Sequence, residues 1–232
     1  MKSVVSSFPA SLQANLQPPA AHLEGRCGVL IPAYNEAETV ADIARVALES
    51  DLGPVLVVDD GSQDATEERA LEVGAAVLRL NSNVGKGGAV YAGVQTLETD
   101  IIVLIDADLT GLETQHLHSL AEPVLKGEAD ATRGVFKGGR LRTTAAQKLA
   151  PQLNGQRAVL RDKLLTLDFA KSRYGIEIII TKASKEGGWR TRDVALSNVS
   201  QVMKEEKTGF WSGLRVRLGM YRDILQALLG KS

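Results

Sequence analysis

Asp106 and Asp108, one residue apart in the segment LIDAD, are the side chains whose spacing most clearly suggests chemistry. Two neighbouring carboxylates repel each other unless a cation or several hydrogen-bond donors neutralise them. Mg²⁺ and Mn²⁺ suit this arrangement, because both take oxygen ligands and complete their coordination with water and substrate phosphates. We therefore expect Asp106 and Asp108 to hold a divalent cation and, through it, a diphosphate.

Three further polar segments accompany this pair, and each is ambiguous when taken alone. They are Pro-Ala-Tyr-Asn-Glu at 32–36, Asp-Asp-Gly-Ser at 59–62 and Asn-Val-Gly-Lys-Gly-Gly at 83–88. The second could be no more than a turn, whereas the third offers glycine amides and Lys86, which suit a phosphate. The third is not a P-loop, because Leu80 stands where the first glycine is required and Gly87 follows the lysine.

The elements that must position these segments are predicted from short apolar runs, which alternate with stretches whose apolar residues recur every three or four positions. The apolar runs CGVLIPAY, PVLVVDD, AAVLRL and IIVLIDAD predict strands, and EAETVADIARVALES, DATEERALEVG and GKGGAVYAGVQTLE predict helices, with Asp64 as the cap of the second. Such alternation predicts an α/β fold with a mostly parallel sheet and helices on both faces. Ligands of these sheets bind beyond the carboxyl ends of the strands, so all four polar segments should share one rim.

The later sequence is less regular. DATRGVF and DVALSNVSQV favour strands, while RYGIEIIITKASKEG fits either a strand or a buried helix. From Phe210 onward the pattern predicts an amphipathic helix with arginines off its apolar stripe, which either packs on the sheet or lies on an anionic membrane. We expect an arm over residues 1–25, one domain over 26–207 and this helix over 208–232.

Size and composition are those of a single globular domain rather than two. The chain has 232 residues, 44% of them hydrophobic and 24% charged. A formal net charge of −1 provides no global field for nucleic acid, so none is expected as a partner. The apolar runs are shorter than the roughly 18 residues of a membrane span, and the N-terminus has no signal-peptide pattern. The sequence predicts a cytoplasmic protein, held at the cytoplasmic face of a membrane if the last helix lies on lipid.

Taken in order, IPAYNEAETV, VVDDGSQDAT, NVGKGGAV and LIDADLTG resemble the family 2 glycosyltransferases, whose nucleotide-sugar-binding fold is called GT-A. The match covers residues 27–112, and the ordered combination is far more specific than any one motif. The resemblance implies a UDP- or GDP-sugar donor and Mg²⁺ or Mn²⁺. It also implies that the nucleoside is bordered by Pro32, Tyr34 and Glu36, that Asp60 binds the base, that Lys86 lies near the nucleotide, and that Asp106 and Asp108 form the D-x-D metal site.

RGVFKGGRLRTT, LNGQRAVLRD and RYGIEI resemble the branch that holds polyprenyl-phosphate sugar transferases and the synthases that glycosylate phosphoglycerate. Both acceptors carry a phosphate, for which an arginine fork is well suited. Arg133 and Arg157 are the main candidates, and the same segments contain Arg140, Arg142 and Arg161. One departure from some polyprenyl-phosphate transferases is Thr110, which stands where they carry glutamine.

Two other classes compete for the same motifs. Asp106-Ala107-Asp108-Leu109-Thr110 matches the D-x-D-x-T nucleophile motif of haloacid-dehalogenase-like phosphatases, but it lies in mid-chain and lacks a later Gly-Asp-x-x-x-Asp segment. VLVVDDGS with IIVLIDADLTGL resembles a phosphoacceptor receiver module, yet a complete strand and helix precede it and the expected Lys-Pro is absent. We expect the glycosyltransferase.

Overall fold

A computed structural model describes residues 14–18, 22–137, 155–168 and 175–201. The strands are β1 Ala14–Gln17, β2 Glu24–Ala33, β3 Val55–Asp59, β4 Ala76–Leu80, β5 Glu98–Leu104, β6 Leu109–Thr110, β7 Ala131–Lys137, β8 Arg157–Leu160, β9 Thr191–Ser197 and β10 Ser200–Gln201. The helices are α1 Val40–Glu49, α2 Thr66–Glu72, α3 Lys86–Thr96, α4 Thr114–Leu125, α5 Arg161–Leu165 and α6 Ile176–Glu186.

Eight of the strands form one sheet, in the order β1-β4-β3-β2-β5-β8-β7-β9. The four central strands from β4 to β5 are mutually parallel, as the alternation of strands and helices predicts. β1 pairs antiparallel with β4, and β8 lies antiparallel between β5 and β7. β6 and β10 form a separate antiparallel pair beside the main sheet. The predicted α/β class is confirmed, with antiparallel strands added on both sides of the parallel centre.

Helices cover both faces of this sheet, because successive side chains of a buried strand point to opposite sides. Val29 and Ile31 face one apolar core with α1, α2 and α4, whereas Leu30 between them faces a second core. The second core contains residues of α3, α5 and α6. Continuous Val, Ile and Leu runs in β2 to β5 thus supply both cores at once.

Several predicted elements end elsewhere than expected. The strand predicted over IIVLIDAD ends at Leu104, so Asp106 and Asp108 lie in the loop that follows it. The ambiguous RYGIEIIITKASKEG segment contains helix α6, which Gly175 precedes in the left-handed conformation at φ 85°. The cap of α2 is Ala65 rather than Asp64, although Asp64 Oδ1 still accepts the Thr66 amide at 3.1 Å.

The ends of the chain bear on the expected domain limits. Part of the segment expected to be an arm forms strand β1 on the edge of the sheet, and β2 begins at Glu24. The amphipathic helix predicted from Phe210 lies outside the described residues, as do Arg140 and Arg142. Among the described residues, no helix is both long and apolar enough to cross a membrane.

Candidate active site

The four polar segments meet on one rim of the sheet, as the parallel strands require. The first two are joined where the Asn35 amide donates to Ser62 Oγ at 3.0 Å and the Gln63 amide donates to Asn35 Oδ1 at 2.9 Å. Asn35 takes a positive φ of 53° there, a conformation that asparagine tolerates better than most residues. The third and fourth segments are joined by a salt bridge between Lys86 and Asp106.

Asp60 connects the second segment to the third. Its buried carboxylate accepts the amide of Val84 at 2.7 Å through Oδ1 and the amide of Gly85 at 2.9 Å through Oδ2. These amides come immediately before helix α3, and Gly85 has a φ of 90° that favours glycine. Asp60 therefore fixes the start of α3 and, with it, the position of Lys86.

Lys86 lies between two carboxylates. Its Nζ is 2.7 Å from Asp106 Oδ1 and 2.5 Å from Glu177 Oε1. Burial by itself would lower the pKa of Lys86, but the charges and hydrogen bonds of Asp106 and Glu177 outweigh it and hold the pKa well above its usual value. The ammonium is thus charged at any physiological pH.

Arg157 adds a second positive charge to this cluster. Its Nη2 donates to the Glu177 carbonyl at 3.2 Å and to Thr181 Oγ1 at 3.0 Å, which ties strand β8 to the first turn of α6. Burial lowers the pKa of Arg157 to about 10, against the opposing charges of Glu177 and Asp106, so the guanidinium remains protonated at neutral pH. Lys86 and Arg157 balance Asp106 and Glu177, and all four line one small cavity together with Pro32.

The carboxylates after β5 fit a hard cation by their ligand type. Asp106 is almost fully buried, and the Gly155 backbone lies so close that a Cβ there would come within 2.5 and 2.6 Å of the Asp106 oxygens. Among the described residues, no three His, Cys, Asp or Glu side chains are grouped to hold a metal ion. Mg²⁺ held by one or two carboxylates commonly completes its coordination with water and substrate phosphate oxygens.

The residues expected around the nucleoside lie along the same rim. Pro32 lines the cavity, and Tyr34, two residues further along the chain, is exposed. Glu36 is buried, its amide donates to Thr66 Oγ1 at 2.9 Å, and its Oε2 accepts from Thr39 Oγ1 at 3.4 Å. Glu36 thus also anchors the start of α2 to the first loop.

The arginines expected at the acceptor end lie in different environments. Arg133 forms a bidentate pair with Asp193, with both N–H···O distances at 2.9 Å, across the parallel strands β7 and β9. Arg161 donates to the Val94 carbonyl at 2.9 Å and so holds α5 against α3. Of these three arginines in the described chain, Arg157 is the one that lines the cavity.

Glu177 is the site residue that the sequence did not single out. It belongs to the RYGIEI segment, whose apolar pattern fits either a strand or a helix. Because these two structures point the side chain in different directions, the sequence alone could not place Glu177 on the rim. As the second residue of α6 it lies in the first turn, where the helix dipole favours a negative charge. A helical assignment of this segment would have placed a carboxylate at a helix start and drawn attention to it.

The sheet has a parallel centre with antiparallel strands on both sides, and helices cover both of its faces. With a D-x-D loop and a lysine-bearing helix start on one rim, this architecture defines a GT-A nucleotide-sugar transferase fold. The chain belongs to glycosyl transferase family 2, whose model matches residues 28–179. The resemblance read from the sequence is therefore confirmed, and the phosphatase and receiver alternatives are wrong.

Solved structures of glucosyl-3-phosphoglycerate synthase from Mycobacterium tuberculosis share this fold. The complex with Mn²⁺ and UDP-glucose matches with a TM-score of 0.73 and 26% identity, over 89% of this chain and 78% of that chain. The complex with phosphoglyceric acid has the same TM-score of 0.73 and 26% identity, over 89% and 79%.

Curated relatives include two named proteins. Glycosyltransferase AglJ of Haloferax volcanii is 30% identical over 182 residues, which are 70% of this chain and 59% of that protein. Glucosyl-3-phosphoglycerate synthase of M. tuberculosis is 31% identical over 188 residues, 65% of this chain and 58% of that protein. The chain thus spans less than two thirds of either relative.

Proposed function

We propose that this protein transfers a sugar from a nucleoside diphosphate sugar to a phosphate-bearing acceptor, with Mg²⁺ or Mn²⁺ as its cofactor. The observation that carries the proposal is the cluster in which the half-buried Lys86 bridges the buried Asp106 and Glu177 on the rim of a GT-A sheet. The solved relatives support it, because their structures contain Mn²⁺ with UDP-glucose, Mg²⁺ with UDP, or Mn²⁺ with UDP and phosphoglyceric acid.

We propose the residue roles from the family resemblance, and the position of these residues on one rim supports them. Asp106 and Asp108 would hold the cation, which when bound neutralises charge on the departing diphosphate. Lys86 sits beside Asp106 and supplies a fixed positive charge at the same point. Pro32, Tyr34 and Glu36 would border the nucleoside, and Asp60 would face the base.

The acceptor end is assigned to Arg157 and Arg133. Arg157 lines the cavity, so a phosphate entering there would meet its guanidinium. Arg133 already satisfies its fork with Asp193, whose side chain is 53% exposed, so a phosphate would have to take the place of that carboxylate. If a phosphate oxygen of the acceptor is itself the nucleophile, it is already ionised at neutral pH and the reaction requires no strong general base. If the nucleophile is a hydroxyl of the acceptor, a carboxylate must accept its proton.

The donor half of the proposal is tested by a thermal-shift panel of UDP-, GDP- and dTDP-sugars with Mn²⁺. A ligand present at about 100 times its dissociation constant stabilises by roughly 2.7 kcal/mol, which raises Tm measurably. We expect a shift with one nucleotide and a smaller one when Mn²⁺ is omitted. No shift with any of the three would contradict the proposal.

The acceptor half is tested by release of the nucleoside diphosphate with 3-phosphoglycerate or a polyprenyl phosphate as acceptor.

Liposome flotation with and without residues 208–232 separates the two predictions for the C-terminal segment. We favour packing on the domain, so partitioning should not change when the segment is removed. Flotation that is lost on truncation would instead support a lipid-bound acceptor and a membrane-associated enzyme.

A further inference from the structure

Arg79, in strand β4, reaches three groups at the nucleoside end of the site. Its Nη1 is 2.6 Å from Asp59 Oδ2 and 3.0 Å from Glu67 Oε2, and its Nη2 donates to the Ser62 carbonyl at 2.9 Å. Asp59 is completely buried, and its second oxygen accepts the Ser62 amide at 2.9 Å. Both ends of the turn from Asp59 to Ser62 are therefore fastened to one guanidinium.

Asp60 lies inside this turn. The turn leaves its carboxylate facing the Val84 and Gly85 amides, and Gly61 packs directly on the next loop at a φ of 71°. A Cβ on Gly61 would come within 2.8 Å of the Ser82 carbonyl carbon, so the two loops touch backbone to backbone. A shift of the turn would therefore move Asp60 and the start of α3 together.

We infer that Arg79 is a positioning residue for the nucleoside diphosphate: it holds the Asp59–Ser62 turn so that Asp60 and the loop before Lys86 keep their binding geometry. This inference rests on the proposed function. It adds a residue that none of the four polar segments contains and that does not line the cavity. Deleting the guanidinium leaves Asp59 buried without its cation, and a buried carboxylate in that state is strongly unfavourable, so the turn must rearrange to reach water.

The test compares Arg79→Met, Arg79→Lys and Arg190→Met. Arg190 is the matched control, because its guanidinium also joins a carboxylate, Asp130 at 2.8 Å, and a loop carbonyl, Gly127 at 2.8 Å. It lies beside the start of β7, at the amino-terminal edge of the parallel strands and so opposite the site. UDP with Mn²⁺ is the probe, and its dissociation constant is measured by calorimetry.

We expect Arg79→Met to weaken UDP binding about tenfold to a hundredfold, the range that a small misplacement of binding groups produces. In turnover assays the loss should appear in KM for the donor, with kcat at saturating donor close to wild type. Arg79→Lys keeps the charge but not the three-way contact, so it should recover part of the affinity. It also serves as the folded variant if Arg79→Met does not fold.

If the wild-type protein binds UDP, either of two results would overturn the inference. One is an Arg79→Met or Arg79→Lys protein that binds UDP as tightly as wild type. The other is an Arg190→Met protein that loses as much affinity as the Arg79 variants, because the effect would then be general destabilisation. If the wild type binds no nucleoside diphosphate, the proposed function fails and the inference is overturned with it.

Discussion

Lys86 is the residue on which the charge balance of the site depends, since its ammonium forms ion pairs with both Asp106 and Glu177. Replacing it by methionine leaves two carboxylates facing one cavity without their shared cation. An unsatisfied buried partner costs about 1–3 kcal/mol, and more when it is charged, so Lys86→Met should lower Tm. Mn²⁺ alone should then restore more Tm in this variant than it adds to wild type, because a divalent cation replaces the lost charge.

Differential scanning fluorimetry with and without Mn²⁺ measures both effects. Lys86→Arg retains the charge and should behave like wild type towards Mn²⁺. Lys182→Met is the surface control, because Lys182 forms a long 3.9 Å pair with Glu186 and both side chains are more than half exposed. Equal Mn²⁺ shifts in Lys86→Met and wild type would show that Lys86 and the cation do not share Asp106.

A second prediction at the scale of single residues concerns the reactivity of the Cys27 thiol. Burial raises the pKa of its thiol to about 11, although the Arg26 charge and a backbone hydrogen bond act in the opposite direction. The thiolate is the reactive form, so iodoacetamide at pH 8 should leave the native protein unmodified over a time in which the protein in guanidinium is fully alkylated. Intact-mass spectrometry reads the outcome, and rapid labelling of the native protein would contradict the buried position in β2.

Among the elements, the short β6–β10 pair supports the D-x-D loop from its far end. Thr110 Oγ1 lies 2.8 Å from Ser200 Oγ, and Gly111 follows with a φ of 73°. A Cβ on Gly111 would come within 2.3 Å of the Asn198 carbonyl oxygen, so Gly111→Ala must push the two strands apart. We expect it to reduce the Tm shift produced by Mn²⁺ with UDP, because Asp108 lies three residues away on the displaced loop.

Gly74→Ala is the control for this experiment. Gly74 has a comparable φ of 90°, but an added Cβ there would meet no neighbouring atom within 4 Å. The substitution Gly74→Ala therefore measures the cost of backbone strain without a steric clash. Strain of that kind costs about 1–2 kcal/mol, which urea unfolding would resolve. Gly111→Ala should cost more than Gly74→Ala and should alone affect ligand binding. If Mn²⁺ with UDP raised the Tm of Gly111→Ala as much as that of wild type, the β6–β10 pair would not position the D-x-D loop.

The sequence predicted the elements whose signal is local. Continuous apolar runs in β2 to β5 predicted that the polar segments after them share one rim, because parallel strands must end on the same side. It did not predict strand β1 or the insertion of β8 beside β5, since four-residue strands carry too little periodicity and pairing depends on distant partners. Glu177 was missed for the same reason, because its place on the rim depends on how α6 packs.

At the scale of the molecule, the site is assembled from two parts of the chain. Residues 32–108 supply the four polar segments, while β8 and α6 add Arg157 and Glu177 from the later part. β8 also covers an edge of β5 that would otherwise be exposed, with Ile101 opposite Leu160 and Leu104 opposite Arg157. The later part of the chain therefore completes both the sheet and the cavity.

A fragment of residues 1–137 should accordingly aggregate, although it contains all four polar segments. Without β8, the apolar strand β5 becomes an unprotected edge with its N–H and C=O groups available to another chain. We expect the fragment to elute in the void volume on size exclusion while the full chain does not. Co-expression with residues 138–232 should recover soluble protein by restoring the β5–β8 pairing. A soluble, monodisperse 1–137 fragment that binds UDP with Mn²⁺ would show instead that the first part is a complete donor-binding unit and that Glu177 and Arg157 are dispensable for nucleotide binding.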